Sequence, residues 1–221
     1  MKHYRTESIV LRRLDYGDSD RIVSLITPNN GKISVLAKGA RKNKSRLSGG
    51  IELFSINEVV VIEGRGDIKT LRSSRMINHF GNIAKNYDKT QVGFSILKRI
   101  NQLTEENTEK SWYDLAKTGL QALDYLSLSS EVIEFWFEMN LMRLSGRQPD
   151  LKTDASSKPL SESHNYYFDK SQGQLVSLKS SKIRSEHIKF ARLVYSLSPQ
   201  TLSKIKGAKK LSLDWLGYFD Q

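Results

Sequence analysis

The stretch SIVLRRLDYGDSDRIVSLITPNNGKISVLAKG, residues 8–39, decides the fold of the first part of the chain. It contains three short runs rich in Val, Ile, Leu, Ser and Thr, separated by DYGD at 15–18 and TPNNG at 27–31. Gly, Asn, Asp and Pro favour the backbone conformations in which a chain reverses. The stretch therefore predicts three strands joined by short turns.

Two more runs of strand character follow, ELFSINEVVVIEG at 52–64 and IKTLRSS at 68–74. The break between them, GRGD at 64–67, contains the tripeptide Arg65-Gly66-Asp67, which is most simply a hairpin turn. Five strands within the first eighty residues favour a small closed barrel, because closure removes exposed strand edges.

Beyond residue 80 the apolar residues recur three or four apart, which is the period of helices. One helix is predicted to begin after Ser130 as its N-cap and to end at Gly146. The sequence thus predicts an α+β protein, with a five-stranded closed barrel over 1–80 and a helical domain over 81–221.

Residues 150–181 interrupt the helical pattern, because they are rich in Ser and Lys and lack a sustained period. They predict a loop or a small irregular module. Two further helices are expected, one around 185–197 and one after Pro199 toward the C-terminus.

The net charge of +11 is unevenly distributed. Residues 1–80 hold 15 basic against 8 acidic side chains, residues 81–150 hold 8 against 10, and residues 151–221 hold 12 against 6. A basic surface makes a polyanion the first expectation for a partner, with an anionic membrane second. The absence of cysteine excludes disulfides and thiolate chemistry. With no apolar run long enough to span a membrane and no signal-peptide pattern at the N-terminus, we expect a cytoplasmic protein.

The most basic segment is KGARKNKSR, residues 38–46, with five cations and no acid. It is not a nucleotide-binding P-loop, because Lys38 and Asn43 stand where that motif requires glycine. Either it contacts a nucleic-acid backbone, or it is a solvated loop whose charges aid solubility. The candidate phosphate contacts in the loop are Lys38, Arg41, Lys42, Lys44 and Arg46, and those from the rest of the barrel are Arg12, Arg13, Arg21, Lys32, Lys69, Arg72 and Arg75.

Barrels of this kind bind single strands along a basic groove in which aromatic rings stack on bases. The barrel segment offers Tyr4, Tyr16 and Phe54 as stacking residues. Tyr16 is preferred because it lies in a turn beside Gly17, whereas Phe54 lies in an apolar strand and is expected in the core.

Catalytic motifs are absent from the sequence. The four histidines form no H-x-x-x-H pair, and no serine lies in G-x-S-x-G. Asp15, Asp18 and Asp20 lack the downstream glutamate of a calcium loop. We therefore expect a protein that is not an enzyme.

The segment from Glu7 to Ser55, together with GRGDIKTL at 64–71 and LMRLSGRQPDL at 141–151, resembles the RecO family of bacterial recombination mediators. The resemblance implies a barrel of oligonucleotide-binding type (OB-fold) followed by helices. It also implies binding of single- and double-stranded DNA, annealing of complementary strands, and work with RecR and the single-strand DNA-binding protein to help RecA load, in the bacterial cytoplasm at the nucleoid.

The chain departs from the family pattern where many relatives carry two C-x-x-C pairs that bind zinc. The matching positions hold Asp154, Ser157, Ser177 and Ser180. Hydroxyls and one carboxylate are poor zinc ligands, so we expect a metal-free module and no cofactor. Its packing is expected to come from Tyr166, Tyr167, Phe168, Leu175 and Val176.

The acidic, apolar-ended tail of a single-strand binding protein is a partner that the resemblance implies. It predicts an apolar pocket rimmed by Lys or Arg in the helical part, with Lys98, Arg99 and Arg143 as candidate rim residues. Two alternatives stay open: an adaptor whose helical domain docks protein tails, with DNA binding incidental, and an anionic-membrane binder. The latter is disfavoured by the lack of a basic amphipathic helix with exposed aromatics. The sequence also leaves open whether Lys204, Lys206, Lys209 and Lys210 form a second basic patch.

Overall fold

A computed structural model describes residues 2–64 and 66–219, so Arg65 of the GRGD turn lies outside the described residues. The chain divides into two compact units, Met1–Asp124 and Tyr125–Gln221. Residue 80 marks the change from strands to helices, and as a domain boundary it stays a prediction. The first compact unit contains two helices in addition to the barrel.

Five strands form a closed barrel in the order β1-β2-β3-β5-β4, and β1 closes it by pairing with β4. All neighbours are antiparallel except β3 and β5, which pair in parallel. This arrangement confirms the predicted α+β class with an OB-type barrel. The strands are β1 (His3–Tyr16), β2 (Asp20–Thr27), β3 (Gly31–Ala37), β4 (Ser55–Ile62) and β5 (Ile68–His79).

The inside of the barrel is filled by alternate residues of its strands. In β3, every second residue from Gly31 to Ala37 is buried while those between are partly exposed, which is the period of two that a strand imposes. Burying each such branched side chain contributes about 1.5–3 kcal/mol. The barrel core includes Val10, Val23, Leu25, Ile33, Val35, Val59, Val61 and Leu71.

Two bulges shape β5. Val60 pairs with Ser73 but Val61 pairs with Leu71, which leaves Arg72 as an extra residue. At the second bulge, Ile56 pairs with Asn78 and Asn57 pairs with Met76. Ile77 therefore has no partner and is the second extra residue. A bulge bends its strand and redirects a side chain, and both extra residues are exposed.

Helices α1 (Tyr87–Leu103) and α2 (Lys110–Asp124) pack on the barrel strands β1 and β2, and α2 also on β3. Asn86 caps α1 by accepting a hydrogen bond from the backbone N–H of Lys89 at 3.0 Å. On α2, the Tyr113 hydroxyl donates to Glu7 Oε2 of β1 at 2.8 Å. The two helices and the barrel thus share one packed body.

The connection between α1 and α2 runs along the start of β3. The backbone N–H of Lys32 donates to the carbonyl of Glu105 at 2.9 Å. Gly31 has φ of +62°, and a Cβ there would lie only 2.3 Å from the backbone nitrogen of Thr108. Glycine is therefore required at this seam both for its backbone angle and for the close approach.

The second unit contains helices α3 (Ser130–Leu144), α4 (Ser185–Leu193), α5 (Pro199–Leu202) and α6 (Ala208–Leu216). The predicted third helix is present, but Ser129 rather than Ser130 occupies its N-cap. Gly146, with φ of +69°, follows its end as predicted. The segment after Pro199 forms two short helices instead of one.

Aromatic rings form the centre of the second unit. Phe135 of α3 stacks on Phe190 of α4 at 5.5 Å and on Trp215 of α6 at 5.9 Å between ring centroids. Trp215 also packs edge-on against Phe168 at 5.4 Å. These rings tie the helices to the segment 150–181.

Within 150–181 the chain forms a two-stranded hairpin, β6 (Tyr166–Asp169) and β7 (Gln174–Ser177), so the segment is not irregular throughout. Of the five residues predicted to hold it, Tyr166, Phe168 and Leu175 are buried. Val176 is 38% exposed, because successive residues of a strand face opposite sides. Tyr167 packs against Tyr218 with ring centroids 5.3 Å apart.

Candidate nucleic-acid interface

The basic loop at 38–46 leaves β3 and is fastened to the β1–β2 turn. The backbone N–H of Gly39 donates to Asp20 Oδ1 at 2.7 Å, and that of Arg41 donates to the carbonyl of Ser19 at 2.9 Å. Between them, Ala40 is 2% exposed and belongs to the barrel core. The backbone of the loop is therefore held in place at its first turn.

All five cations of the loop are exposed. Arg41 forms an ion pair, in which its Nε lies 3.4 Å from Asp15 Oδ2. Within residues 2–64 and 66–219, the other four have no ion pair, and these are Lys38, Lys42, Lys44 and Arg46. We call the five cations together with Tyr16 the loop surface.

Asp15 is the acid at the edge of the loop surface. Arg21 Nε donates to Asp15 Oδ1 at 2.9 Å, and this hydrogen bond, reinforced by the charges of Arg41 and Arg13, holds the pKa of the carboxyl below its usual range. Asp15 consequently stays charged at neutral pH and offsets part of the positive charge of Arg21 and Arg41.

Tyr16 stands at the end of β1 and is 54% exposed. The next residue, Gly17, has φ of +56°, and its carbonyl accepts a hydrogen bond from Arg41 Nη1 at 3.3 Å. The ring is therefore attached to the same turn that anchors the loop. Tyr4 packs partly buried against the barrel core, and Phe54 is 7% exposed, so neither offers a free ring face of this kind.

The remaining predicted cations of β1 and β2 differ in their surroundings. Arg12 is exposed and has no ion pair in the part of the chain that is described. Arg13 is half-buried and pairs with Glu52 Oε2 at 2.7 Å. Arg21 is likewise half-buried against Asp15. Because an acid already neutralises part of the charge of Arg13 and of Arg21, these two arginines would attract a phosphate less strongly than Arg12 would.

Lys32 and Lys69 face the connection between α1 and α2. Lys32 Nζ donates to the backbone carbonyl of Asn101 at 2.7 Å. Lys69 is 9% exposed, and its ammonium pairs with the carboxylate of Glu106. Both side chains therefore hold the helices to the barrel. Their role in binding DNA stays a prediction, and it is disfavoured because both ammonium groups already have partners within the protein.

Arg72 and Arg75 lie on β5, and both are exposed. Arg75 shares Glu58 with Arg5 of β1, at 3.4 and 3.5 Å. Arg72 has no ion pair among residues 2–64 and 66–219. The two predicted β5 cations are thus on a different strand from the loop surface.

The family resemblance matches zinc-ligand positions with Asp154, Ser157, Ser177 and Ser180, and a metal-free module stays a prediction. Asp154 Oδ1 accepts hydrogen bonds from the backbone N–H groups of Ser156 and Lys158, at 2.8 and 3.0 Å. Ser177 and Ser180 are exposed. Over residues 2–64 and 66–219, no group of three or more His, Cys, Asp or Glu could hold a metal ion. The carboxylate instead caps the turn in which a C-x-x-C pair would lie.

The second unit contains a cavity of about 360 Å³ that sequence reasoning did not locate. Arg192 Nε donates to the carbonyl of Leu151 at 3.1 Å, which places this guanidinium at the cavity wall. Arg143 lies over the ring of Tyr195 at 5.3 Å. Burial raises the pKa of Tyr195 to about 12, so its hydroxyl stays neutral. The lining residues are Gln148, Pro149, Asp150, Leu151, Lys152, Arg192 and Tyr195.

Of the three predicted rim residues, Arg143 is the one beside this cavity, through its contact with Tyr195. Lys98 and Arg99 lie on α1 in the first unit and do not line it. The other rim cations, Lys152 and Arg192, were missed because about forty residues separate them in sequence. The hydrogen bond from Arg192 to the carbonyl of Leu151, the neighbour of Lys152, brings them to the same cavity.

The four C-terminal lysines are all exposed. Lys209 Nζ pairs with Glu131 Oε1 at 2.9 Å, so it serves to connect α6 with the start of α3. Lys204, Lys206 and Lys210 have no ion pair within the described part of the chain. Whether they form a second basic patch stays open.

The fold and the basic loop define a barrel protein of oligonucleotide-binding type with an added helical part. Comparison with known families agrees: residues 1–80 match the model described as Recombination protein O N terminal, and residues 85–214 match Recombination protein O C terminal. The chain belongs to the RecO family. None of its described helices is long and apolar enough to cross a membrane.

Curated relatives carry the same family name. A DNA repair protein RecO from Dehalococcoides mccartyi is 33% identical over 172 residues, covering 77% of this chain and 67% of the relative. Another from Alkaliphilus metalliredigens is 30% identical over 201 residues, covering 90% and 81%. A third from Syntrophus aciditrophicus is 30% identical over 175 residues, covering 78% and 67%. The names place these relatives in DNA repair.

Proposed function

We propose that this chain acts in bacterial DNA repair and homologous recombination as a mediator without catalytic activity. It binds single- and double-stranded DNA and anneals complementary strands. With RecR, it helps RecA to load on strands covered by single-strand binding protein, in the cytoplasm at the nucleoid. Membership of the RecO family and the names of the relatives support the repair role.

The observation that carries the proposal is the loop surface. Its four cations without ion pairs stand on a backbone that is fastened to the barrel, so ordering the loop on binding costs little entropy. Lysine and arginine gain free energy by releasing counterions condensed on a nucleic acid. The exposed ring of Tyr16 offers a platform on which any base can stack.

Annealing follows from these properties without a catalytic group. A basic surface lowers the mutual repulsion of two strands that it holds, and base pairing between the strands supplies the sequence recognition. The protein contacts phosphates and base faces, which are alike in all sequences. We therefore expect no sequence preference in binding.

The test is the affinity for unstructured single-stranded DNA across a salt series. A variant with Lys38, Arg41, Lys42, Lys44 and Arg46 changed to Ala is compared with the native chain. We expect weaker binding and a salt slope that is shallower by about 0.7 for each lost phosphate contact. A matched control changes Arg147→Ala, Lys158→Ala, Lys179→Ala, Lys182→Ala and Lys189→Ala, which are exposed, and removes the same charge from the second unit. Equal loss in both variants would show that net charge alone drives binding.

We also propose that the cavity beside Tyr195 receives the acidic, apolar-ended tail of the single-strand binding protein. Pro149 and Leu151 supply apolar walls, and the guanidinium of Arg192 and the ammonium of Lys152 supply positive charge at the rim. Asp150 is the single acid of the lining, and its carboxylate is occupied by the backbone N–H of Lys152 at 2.7 Å.

The tail proposal is tested with a fluorescent tail peptide. Arg143→Ala and Lys152→Ala should each weaken peptide binding, while Lys98→Ala, on a different unit, should leave it unchanged. Unlabelled single-stranded DNA should not displace the peptide if the two sites are separate. Displacement, or native affinity in both cavity variants, would favour the loop surface as the place where the acidic tail binds.

A further inference from the structure

A groove of about 580 Å³ lies on the outside of the barrel, where β1, β4 and β5 run side by side. Its size falls in the range of about 300–1,000 Å³ that small ligands occupy in proteins. We call it the outer groove. Its lining residues are His3, Tyr4, Arg5, Val60, Arg72 and Ser73.

The register of the strands explains how the outer groove is built. Arg5 pairs with Val60, and Val60 pairs with Ser73, so these three residues form one row across the sheet. The bulge in β5 inserts Arg72 immediately before Ser73. Two guanidinium groups from opposite sides of the row therefore border a floor that contains the apolar side chain of Val60.

Positive charge dominates the outer groove. The side chain of Arg5 is 68% exposed, and its contact with Glu58 is long, at 3.5 Å. Glu58 is shared with Arg75, so one carboxylate serves two guanidinium groups. Arg72 carries no ion pair within the described residues. Arginine suits phosphate because its planar fork of donors matches two phosphate oxygens.

The strands of the outer groove and of the loop surface are neighbours, because β5 contributes Arg72 to the groove and pairs in parallel with β3, which leads into the loop. The last paired residues of these strands are Leu36 and Thr70. Arg72, within β5, and Lys38, just after β3, each follow these partners by two residues, beyond the last paired position. The register thus places the two cations on neighbouring segments of the chain.

We propose that the outer groove is a nucleotide subsite, in which one phosphate of a bound single strand lies between Arg5 and Arg72 and its base rests over Val60. The inference rests on the proposed DNA binding and extends it. It routes a single strand from the loop surface across β5 onto β1. The barrel would accordingly cover more nucleotides than the loop surface alone can.

The experiment measures affinity for oligothymidylates of about 4 to 16 nucleotides, the range that single barrels of this type cover. The native chain is compared with the variant Arg5→Ala/Arg72→Ala and with the charge-matched control Lys179→Ala/Lys182→Ala. We expect the first variant to bind the shortest oligomers as the native chain does. Its affinity should stop rising at a shorter length, and its salt slope for long oligomers should be shallower by about 0.7, for the one lost phosphate contact.

Unchanged length dependence and slope in the Arg5→Ala/Arg72→Ala variant would overturn the subsite, even if the loop surface binds DNA. A native chain that binds none of the oligomers would instead overturn the proposed function. Photo-crosslinking of the native chain with iodouracil-substituted oligomers gives a second measurement. Adducts within residues 2–12 or 66–80 support the route, and adducts confined to residues 16–46 contradict it.

Discussion

The crossover at 38–54, which joins β3 to β4, and the insertion at 150–181 both lack a sustained helical or strand period. In the crossover, Ala40 and Ile51 are buried and the cations between them face solvent. In the insertion, a hairpin buries aromatic and branched side chains against α6. One segment is fixed at a few points and presents charge, whereas the other is packed into the aromatic core of the second unit.

The difference indicates what each segment contributes. A buried aromatic side chain supplies stability through lost water contact and packing, whereas an exposed lysine without a partner supplies almost none. Cations that do not stabilise the fold are available to a ligand. The insertion is accordingly expected to govern stability and the crossover to govern binding, and the following predictions test that division in order of expected size.

The largest effect is expected from Phe168→Ala in the insertion. Phe168 is fully buried and packs against Trp215 and Phe219. Its removal should cost about 3–5 kcal/mol of unfolding free energy, measured by chemical denaturation. Val176→Ala, on the exposed side of the same hairpin, is the control and should change little. A small effect of Phe168→Ala would show that the insertion does not depend on its core.

The next effect concerns the turn that Asp154 caps in the insertion. Asp154→Ala removes a carboxylate that accepts two backbone N–H groups, and we expect a loss of about 1 kcal/mol. Asp154→Asn keeps one acceptor oxygen and should recover part of the loss. A strong chelator should not change the melting temperature of the native chain. A drop in that temperature on chelation would mean that a metal stabilises this module after all.

A smaller, pH-dependent effect is expected at Asp150. The Thr153 hydroxyl, at 2.6 Å, and the backbone N–H of Lys152 hold the pKa of this carboxyl below its usual range. A depressed pKa contributes stability above the unfolded value of about 3.9, and that stability is lost as the pH falls through the folded pKa. The denaturation midpoint should thus fall more steeply below pH 4 in the native chain than in Asp150→Asn. Parallel curves for the two proteins would exclude this turn as an acid-sensitive point.

The smallest effect on stability is expected in the crossover. Lys42→Ala/Lys44→Ala removes two exposed side chains without ion pairs, and the unfolding free energy should change by no more than about 0.5 kcal/mol. The same variant should show a shallower salt slope for single-stranded DNA. A clear loss of stability would show that these lysines stabilise the fold. It would contradict the expectation that the crossover governs binding and the insertion governs stability.

Much of the barrel could be predicted from sequence because its signals are local. The turn residues around Gly17 and Gly31 and the alternation in β3 are visible within a few positions. The exposure of the 38–46 cations also follows from local composition, since no acid lies among them to pair with. Periodicity likewise located α3, with its cap misplaced by one residue.

Contacts between distant segments could not be predicted. Lys69 looks like any other strand cation, and only the packing of the α1–α2 connection buries it against Glu106, thirty-seven residues away. The parallel pairing of β3 with β5, on which the proposed route to the outer groove depends, likewise leaves no signal in a local sequence pattern. The same holds for the bulge at Arg72, since it depends on register across two strands.

The close contact between Gly31 and the α1–α2 connection limits which fragments of the protein can be studied alone. A fragment that ends at residue 80 would keep every barrel strand but lose the connection that covers Gly31 and neutralises the ammonium of Lys69. The freed face of β3 and the unpaired ammonium of Lys69 on β5 would favour aggregation or adventitious binding to polyanions. A fragment ending after Asp124 retains the first compact unit. It is therefore the smallest piece in which DNA binding by the barrel can be measured without a false positive.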